Sequence, residues 1–356
     1  MISPFVYNPA ASRVRFGSGS HLDLSTEVER LGRKVLVITT VGQAELGVRV
    51  ASALESIPTL LLPTAVMHTP VEVTVEAVKV ARQGEVDVIL TIGGGSAIGL
   101  GKGVARETGL PIIAMPTTFS GSEATPVWGE SAHGNKTTGR DLRVLPRTII
   151  YDPLLALPLP AAIAAASGMN AIAHAVEGLY SADANPVTSL KAEEGIRALA
   201  GALPYISDDN PDPGPRGDGL YGAWLCGTVL AEVGMGLHHK LCHTLGGALG
   251  LPHAQMHAIL LPHSLAYNAA AAPEANERVA RALNAPDGVQ GLFDLLQRLP
   301  VAKSLREIGM QQDDITKIAR QVVEKPYPNP EPLSEDGIGA LLENAWAGRT
   351  PRAVGA

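Results

Sequence analysis

With 356 residues the chain is too long for one small core and has the length of two packed domains. It is 46% hydrophobic and 18% charged with a formal charge of -7, the composition of a soluble globular protein without a broad cationic face, which argues against nucleic acid or a membrane as partner. Two cysteines, Cys226 and Cys242, are too few for a disulfide framework, and no charged-then-apolar leader opens the sequence, so a cytoplasmic location is expected.

The first 150 or so residues alternate strand-like and helix-like runs. "RKVLVITT" (33 to 40), "PTLLLPTAV" (58 to 66), "VDVILTIGGG" (86 to 95), "LPIIAMPTT" (110 to 118) and "RTIIYDP" (147 to 153) are continuous apolar runs closed by Gly, Pro or Thr. Between them "GVRVASALES" and "TVEAVKVARQG" carry helical spacing, with Gly84 as a stop. Such alternation predicts a doubly wound parallel sheet covered on both faces. After "DPLLALPLP" (152 to 160) strand-like runs vanish. "AASGMNAIAHAVEGLYSAD", "TSLKAEEGIRALAGAL" and "VQGLFDLLQRL" predict helices, while "YISDDNPDPGPRGDG" (205 to 219) predicts a surface loop. The expected architecture is an α/β domain over 1–155 and an all-α domain over 156–356.

Two loops carry a phosphate-binding signal. Gly93, Gly94 and Gly95 follow a strand and lead through Ser96 into a helix, whose unpaired N–H groups and dipole suit an anion. The glycines are consecutive, unlike the common dinucleotide fingerprint, and the Lys-Ser/Thr ending of a Walker loop is missing. In "MPTTFSGSEATP" (115 to 126), Thr117, Thr118, Ser120 and Ser122 put hydroxyls at a strand's carboxyl end, the usual ligand edge of such a sheet. Further on, "GLHHKLCHTLGGALGLPHAQMHAILLPH" (236 to 263) holds six of the ten histidines and no carboxylate. The uncharged run from Leu241 to Pro273 contains four His and three Pro, which suits a buried pocket wall better than a bilayer span.

Taken in order, "GGGSAIGLGK", "PTTFSGSEATP", "GNK" before "RTIIYDP", "NAIAHAVEGLY" and "HHKLCHTLGG…LPHAQMHAILLPHSLAYN" make the chain resemble the iron-containing alcohol dehydrogenase superfamily, within it the maleylacetate reductase branch. The resemblance implies a dehydroquinate synthase-like fold, a cleft between a dinucleotide domain and a helical domain, NAD(P)H, and a homodimer. Carried over by position, it implies pyrophosphate contacts at Gly94, Gly95 and Ser96, with nicotinamide-side and ribose-side contacts at Thr117, Thr118 and Lys136. The family's four metal ligands, an Asp and three His, fall on Asn170, His174, His239 and His253, and a further active-site His falls on His243.

Asn170 departs from the metal-dependent pattern. Residue 170 to His174 and His239 to His243 are i, i+4 pairs on one helix face each. Divalent iron or zinc usually takes an anionic ligand in such a set, and Asn170 supplies only an amide oxygen, so no metal is expected. Without a Lewis acid, simple alcohols become poor substrates. A conjugated enone is easier to reduce, because hydride adds to the alkene carbon and the charge appears as an enolate that hydrogen-bond donors stabilise. The branch resembled reduces the C=C bond of maleylacetate to 3-oxoadipate in aromatic-ring degradation. His243, His239, His253 and His174 are therefore the expected catalytic groups, with His243 as acid. Asn170, Arg140, Arg143 and Lys240 are the candidates for binding the dicarboxylate. Family members strict for NAD carry an Asp after the first strand where this chain reads "VITTVGQ", so NADH with tolerance of NADPH is expected. The alternatives are a metal-dependent alcohol or aldehyde dehydrogenase, a metal-dependent lyase that reoxidises its own cofactor, and a dinucleotide sensor.

Overall fold

The structure, a computed structural model, describes residues 5–9, 11–54, 56–132, 135–324 and 327–353, with the side chains of 135 and 136 outside that set. The chain divides into two compact units. One comprises Pro9–Leu159 and Pro211–Leu220, the other Met1–Asn8, Pro160–Asn210 and Tyr221–Ala356. This differs from the single cut expected between 155 and 156.

The first unit runs β1 (Arg13–Phe16), α1 (Leu24–Glu29), β2 (Val35–Ile38), α2 (Ala44–Ser52), β3 (Thr59–Leu62), α3 (Val71–Gln83), β4 (Val88–Gly93), α4 (Gly95–Thr108), β5 (Ile112–Pro116), β6 (Val127–Ala132), β7 (Asn135–Arg140) and β8 (Thr148–Tyr151). Six strands form one parallel sheet in the order β1-β8-β5-β4-β2-β3. Every residue of β2, β4, β5 and β8 is buried, which accounts for their unbroken apolar sequences. From β2 the chain goes outward to β3, then returns to β4 on the other flank of β2. The carboxyl ends of β2 and β4 therefore border the point where strand order reverses, the usual ligand position in an open α/β sheet.

Two features escape the sequence pattern. β1 is a four-residue edge strand in which Arg13 and Arg15 reach the buried carboxylate of Glu27. β6 and β7 form a separate antiparallel hairpin, Trp128 lying against Gly139 and under the guanidinium of Arg106 at 4.1 Å.

The second unit is all helix: α5 (Ala161–Tyr180), α6 (Pro186–Ala202), α7 (Gly214–Glu232), α8 (Leu237–Leu249), α9 (His253–Asn268), α10 (Pro273–Leu283), α11 (Gly288–Arg298), α12 (Asp314–Val323) and α13 (Glu335–Ala347). α6 opens with a capping box between Asn185 and Thr188. α5 is buried along nearly its whole length, and Gly168 and Gly178 admit Leu203 and Val229 at distances no Cβ would allow. α9 is buried from Met256 to Asn268, so the uncharged run is core. Among the described residues no single helix is long and apolar enough to cross a membrane.

The surface loop expected over 205–219 is corrected in its second half, where α7 begins at Gly214. Arg216 is fully buried, and its Nε donates to Ala156 O at 2.9 Å. The loop expectation rested on Pro, Gly and Asp content and took no account of the guanidinium. Here it instead satisfies carbonyls at the end of the sheet unit, and ties 211–220 to that unit.

Candidate active site

At the carboxyl ends of β2, β4 and β5 three loops converge. Gly93 ends β4 with φ 143°, a conformation open to glycine, and Gly94 caps α4 without a side chain, so the first N–H groups of that helix keep their capacity for an anion. A Cβ on Gly94 would come 2.6 Å from Thr118 Cγ2, whereas one on Gly95 would meet nothing within 4 Å. Gly94 is thus required by packing, and Gly95 faces open space. Thr117 N donates to Gly93 O at 3.1 Å, and Gln43 Nε2 donates to Thr117 Oγ1 at 2.7 Å. Gln43 is a residue the sequence reading missed. Gly93, Gly94, Gly95, Ser96, Thr117 and Thr118 are brought together as expected, and the cradle fits a pyrophosphate. Of the second loop's serines, Ser120 Oγ is buried without a partner, and Ser122 contributes its carbonyl oxygen to Lys102.

Lys102, in α4, holds the loop after β5 in place. Its buried Nζ donates to Ser122 O at 2.7 Å, Thr125 Oγ1 at 3.0 Å and Val127 O at 2.7 Å. Burial lowers its pKa to about 7, against the opposing pull of the nearby Glu123 carboxylate. Burial also raises Glu123, whose Oε1 accepts from Tyr151 OH at 2.9 Å.

In the helical unit, α5, α8 and α9 assemble a histidine cluster. Asn170, His174 and Glu177 lie at i, i+4 and i+7 on one face of α5. His174 and His239 stack with ring centroids 5.0 Å apart. Glu177, fully buried, joins α5 to α8: Oε1 accepts from His238 N at 2.7 Å, and Oε2 lies 2.5 Å from His239 Nδ1. It thus supplies the helix cap that Gly236 lacks, and engages His239 through Nδ1. Asn170 Oδ1, His174 Nδ1 and His239 Nε2 are all buried without a hydrogen-bond partner. Burial, reinforced by His239 and His253, holds His174 well below the usual histidine pKa, so it is neutral. His243 is exposed, its ring 6.2 Å from that of His239 and 6.3 Å from that of His253.

The family's metal set does not fit these residues well. Position 170 is an amide, both oxygens of Glu177 are engaged by α8, and His253 Nε2 lies 3.2 Å from His257 Nε2. A divalent cation would find no anionic ligand atom among the family's ligand positions.

A second cluster was not foreseen. His238, Cys242 and His257 bring their ligand atoms within 4.8 Å of one another. His238 Nε2 lies 2.9 Å from His257 Nδ1 and His238 Nδ1 3.2 Å from Ser264 Oγ, so the ring nitrogens satisfy one another. Burial pushes the Cys242 thiol up and both imidazoles well down, which keeps all three neutral. His263, at a pKa lowered to about 4 by burial, has neither ring nitrogen hydrogen-bonded.

The basic candidates are scattered. Arg143 is corrected: its exposed guanidinium is forked onto Asp141, with Nη2 2.6 Å from Oδ2, which occupies the face a substrate carboxylate would need. Arg140 is exposed at the end of β7. Lys240 Nζ lies 5.7 Å from the centre of the Tyr327 ring. The side chain of Lys136 lies outside the described residues.

Comparison with known proteins agrees with this arrangement. Residues 11–153 match the iron-containing alcohol dehydrogenase model, and residues 164–346 match the model of that family's C-terminal region. The chain is 50% identical to a maleylacetate reductase of Burkholderia cepacia over 98% of its own length and 100% of the other's. It is 49% identical to one from Sphingobium indicum, covering 98% and 99%. The crystal structure of maleylacetate reductase from Agrobacterium tumefaciens superimposes with a TM-score of 0.94 at 45% identity, covering 98% of this chain and 100% of that one.

Proposed function

The chain belongs to the iron-containing alcohol dehydrogenase family, and on that premise we propose that it reduces the C=C bond of maleylacetate to 3-oxoadipate, using NADH and tolerating NADPH, without a metal. The observation that carries this reading is the amide of Asn170, unpartnered beside His174 and His239 where the metal-dependent pattern has a carboxylate. An aspartate there would repel a dianionic substrate. The amide carries no charge and has N–H groups to give it.

Gly93–Ser96, Thr117, Thr118 and Gln43 would hold a nicotinamide cofactor, whose chemistry would be to supply a hydride to the alkene carbon β to the ketone. The alkene pair becomes the C=C bond of an enolate as the carbonyl pair moves onto the ketone oxygen, and N–H donors such as the Asn170 amide stabilise that charge. A proton must then reach the α-carbon. His243 suits this step, because its exposed ring recovers a proton from water after each turnover. Thr40 leaves no carboxylate after β2 to repel a 2′-phosphate. On the likeness to maleylacetate reductases, the proposal extends to a role in aromatic-ring degradation, a cytoplasmic location and a homodimer.

One observation favours a second reading, a metal-dependent alcohol or aldehyde dehydrogenase: three buried polar atoms without partners are also what a cation would engage. An NADH-oxidation assay with maleylacetate and with short aldehydes, each with and without EDTA, decides between them. Maleylacetate turnover indifferent to EDTA supports the proposal. Aldehyde turnover that EDTA abolishes, with stoichiometric iron or zinc in the protein, overturns it.

A further inference from the structure

We infer that Ser264, His238 and His257 form a hydrogen-bonded lock that holds His253 in one tautomer, its proton on Nε2 and an acceptor at Nδ1. The four side chains, from α8 and α9, lie in a line. Ser264 Oγ is 3.2 Å from His238 Nδ1, His238 Nε2 is 2.9 Å from His257 Nδ1, and His257 Nε2 is 3.2 Å from His253 Nε2. Each nitrogen–nitrogen contact takes one proton. A neutral imidazole that donates on one side must accept on the other, so the orientation at one end fixes that at the other.

That end is Ser264. Its hydroxyl donates to Leu260 O, one turn back in α9, at 3.0 Å. Having one proton, Oγ must accept from His238 Nδ1. His238 Nε2 then accepts from His257 Nδ1, and His257 Nε2 accepts from His253 Nε2. His238, His257 and Ser264 are wholly buried, and among the described residues no carboxylate engages the rings of His238 or His257; the Cys242 thiol lies 3.8 Å from His238 Nε2, farther than the 2.9 Å to His257 Nδ1.

The line is a lock and not a wire. A proton passed along it toward Ser264 would arrive at a hydroxyl whose own proton faces a helix carbonyl, with nowhere to go. His253 therefore carries its proton on Nε2 and is an acceptor at Nδ1. The proton for the α-carbon is left to His243. That last assignment rests on the proposed enone reduction, whereas the tautomer of His253 does not.

Full-length protein labelled with 15N-histidine, observed by long-range proton–nitrogen NMR, tests the lock directly. The expected result is a pyrrole-type Nε2 and a pyridine-type Nδ1 at His253. Ser264→Ala removes the terminal acceptor; His253 should then show both tautomers, and kcat should fall about tenfold with KM for NADH unchanged. Ser264→Thr keeps the hydroxyl and should restore both. A proton on His253 Nδ1 in the wild type overturns the lock, as does an unchanged His253 signal in Ser264→Ala. Stoichiometric zinc bound by the wild type and lost in His257→Phe also overturns it. If Ser264→Ala does not fold, the wild-type spectrum decides alone. A single tautomer in a protein that leaves maleylacetate untouched upholds the lock and overturns the proposed function instead.

Discussion

At position 170 the difference between an oxygen and a nitrogen decides what the facing imidazoles can hold. Asn170 Oδ1, His174 Nδ1 and His239 Nε2 are three buried polar atoms without a partner, and a carboxylate at 170 would add the negative charge a cation needs. Asn170→Asp should therefore raise zinc affinity by about 100-fold or more and depress maleylacetate turnover, since the new charge opposes the dianion. Titration calorimetry with zinc checks the first effect; unchanged affinity would show that geometry, not charge, excludes the metal. Gly95 poses the opposite case, because a methyl group there fills space meant for a ligand and touches no protein atom. Gly95→Ala should leave stability within about 0.5 kcal/mol and weaken NADH at least about tenfold, read from thermal unfolding and fluorescence titration. His243→Ala should lower kcat by about 100-fold or more while leaving NADH affinity intact, as removal of a general acid does. Retained turnover would take His243 out of the mechanism.

Among the elements, α4 both starts the phosphate cradle and carries the lysine that fixes the neighbouring loop. Lys102 has a pKa of about 7 in the folded protein, against 10.5 as the ordinary value. Between those values the unfolded chain binds more protons at this residue than the native one, so stability rises with pH there; below about pH 7 both states carry the proton and this contribution levels off. Lys102→Met should remove that rise. Comparing the two proteins in urea between about pH 7 and about pH 9.5 cancels the groups they share; parallel stability curves would contradict the assignment. The interior strands were legible because four of them are buried on both faces and read as unbroken apolar runs. β1 was not, since Arg13 and Arg15 read as surface while in the fold they satisfy Glu27. The β6–β7 hairpin, polar on both faces, has no period-2 apolar signal to find. Glu177 was within reach, at i+7 from Asn170, but a search for acids confined to 236–263 passes over a carboxylate delivered by another helix. His238 and His257 stood in plain view among the six histidines. What the sequence withheld was the direction of their hydrogen bonds.

For the whole molecule the division of labour is what the two units make testable. Texture alone signals a sheet unit followed by a helical one, but not that 211–220 joins the former, because a buried arginine amid Gly, Pro and Asp is indistinguishable from a solvated one until Arg216 meets the carbonyls of Ala156 and Leu159. The phosphate cradle is built entirely from the first unit and the histidine cluster entirely from the second. NADH alone should therefore slow hydrogen exchange around 39–43, 93–98 and 117–125. The product 3-oxoadipate alone should slow it in the first turns of α8 and α9. With free ligand at about 100 times its Kd, each gains about 2.7 kcal/mol of linkage against opening of the region it contacts, enough to register in exchange rates. Gly95→Ala should erase the NADH footprint and leave that of 3-oxoadipate in place. Protection by NADH confined to α8 and α9 would mean that the glycine turn at Gly93–Gly95 is only a fold element, and that the cofactor is held by the histidines instead.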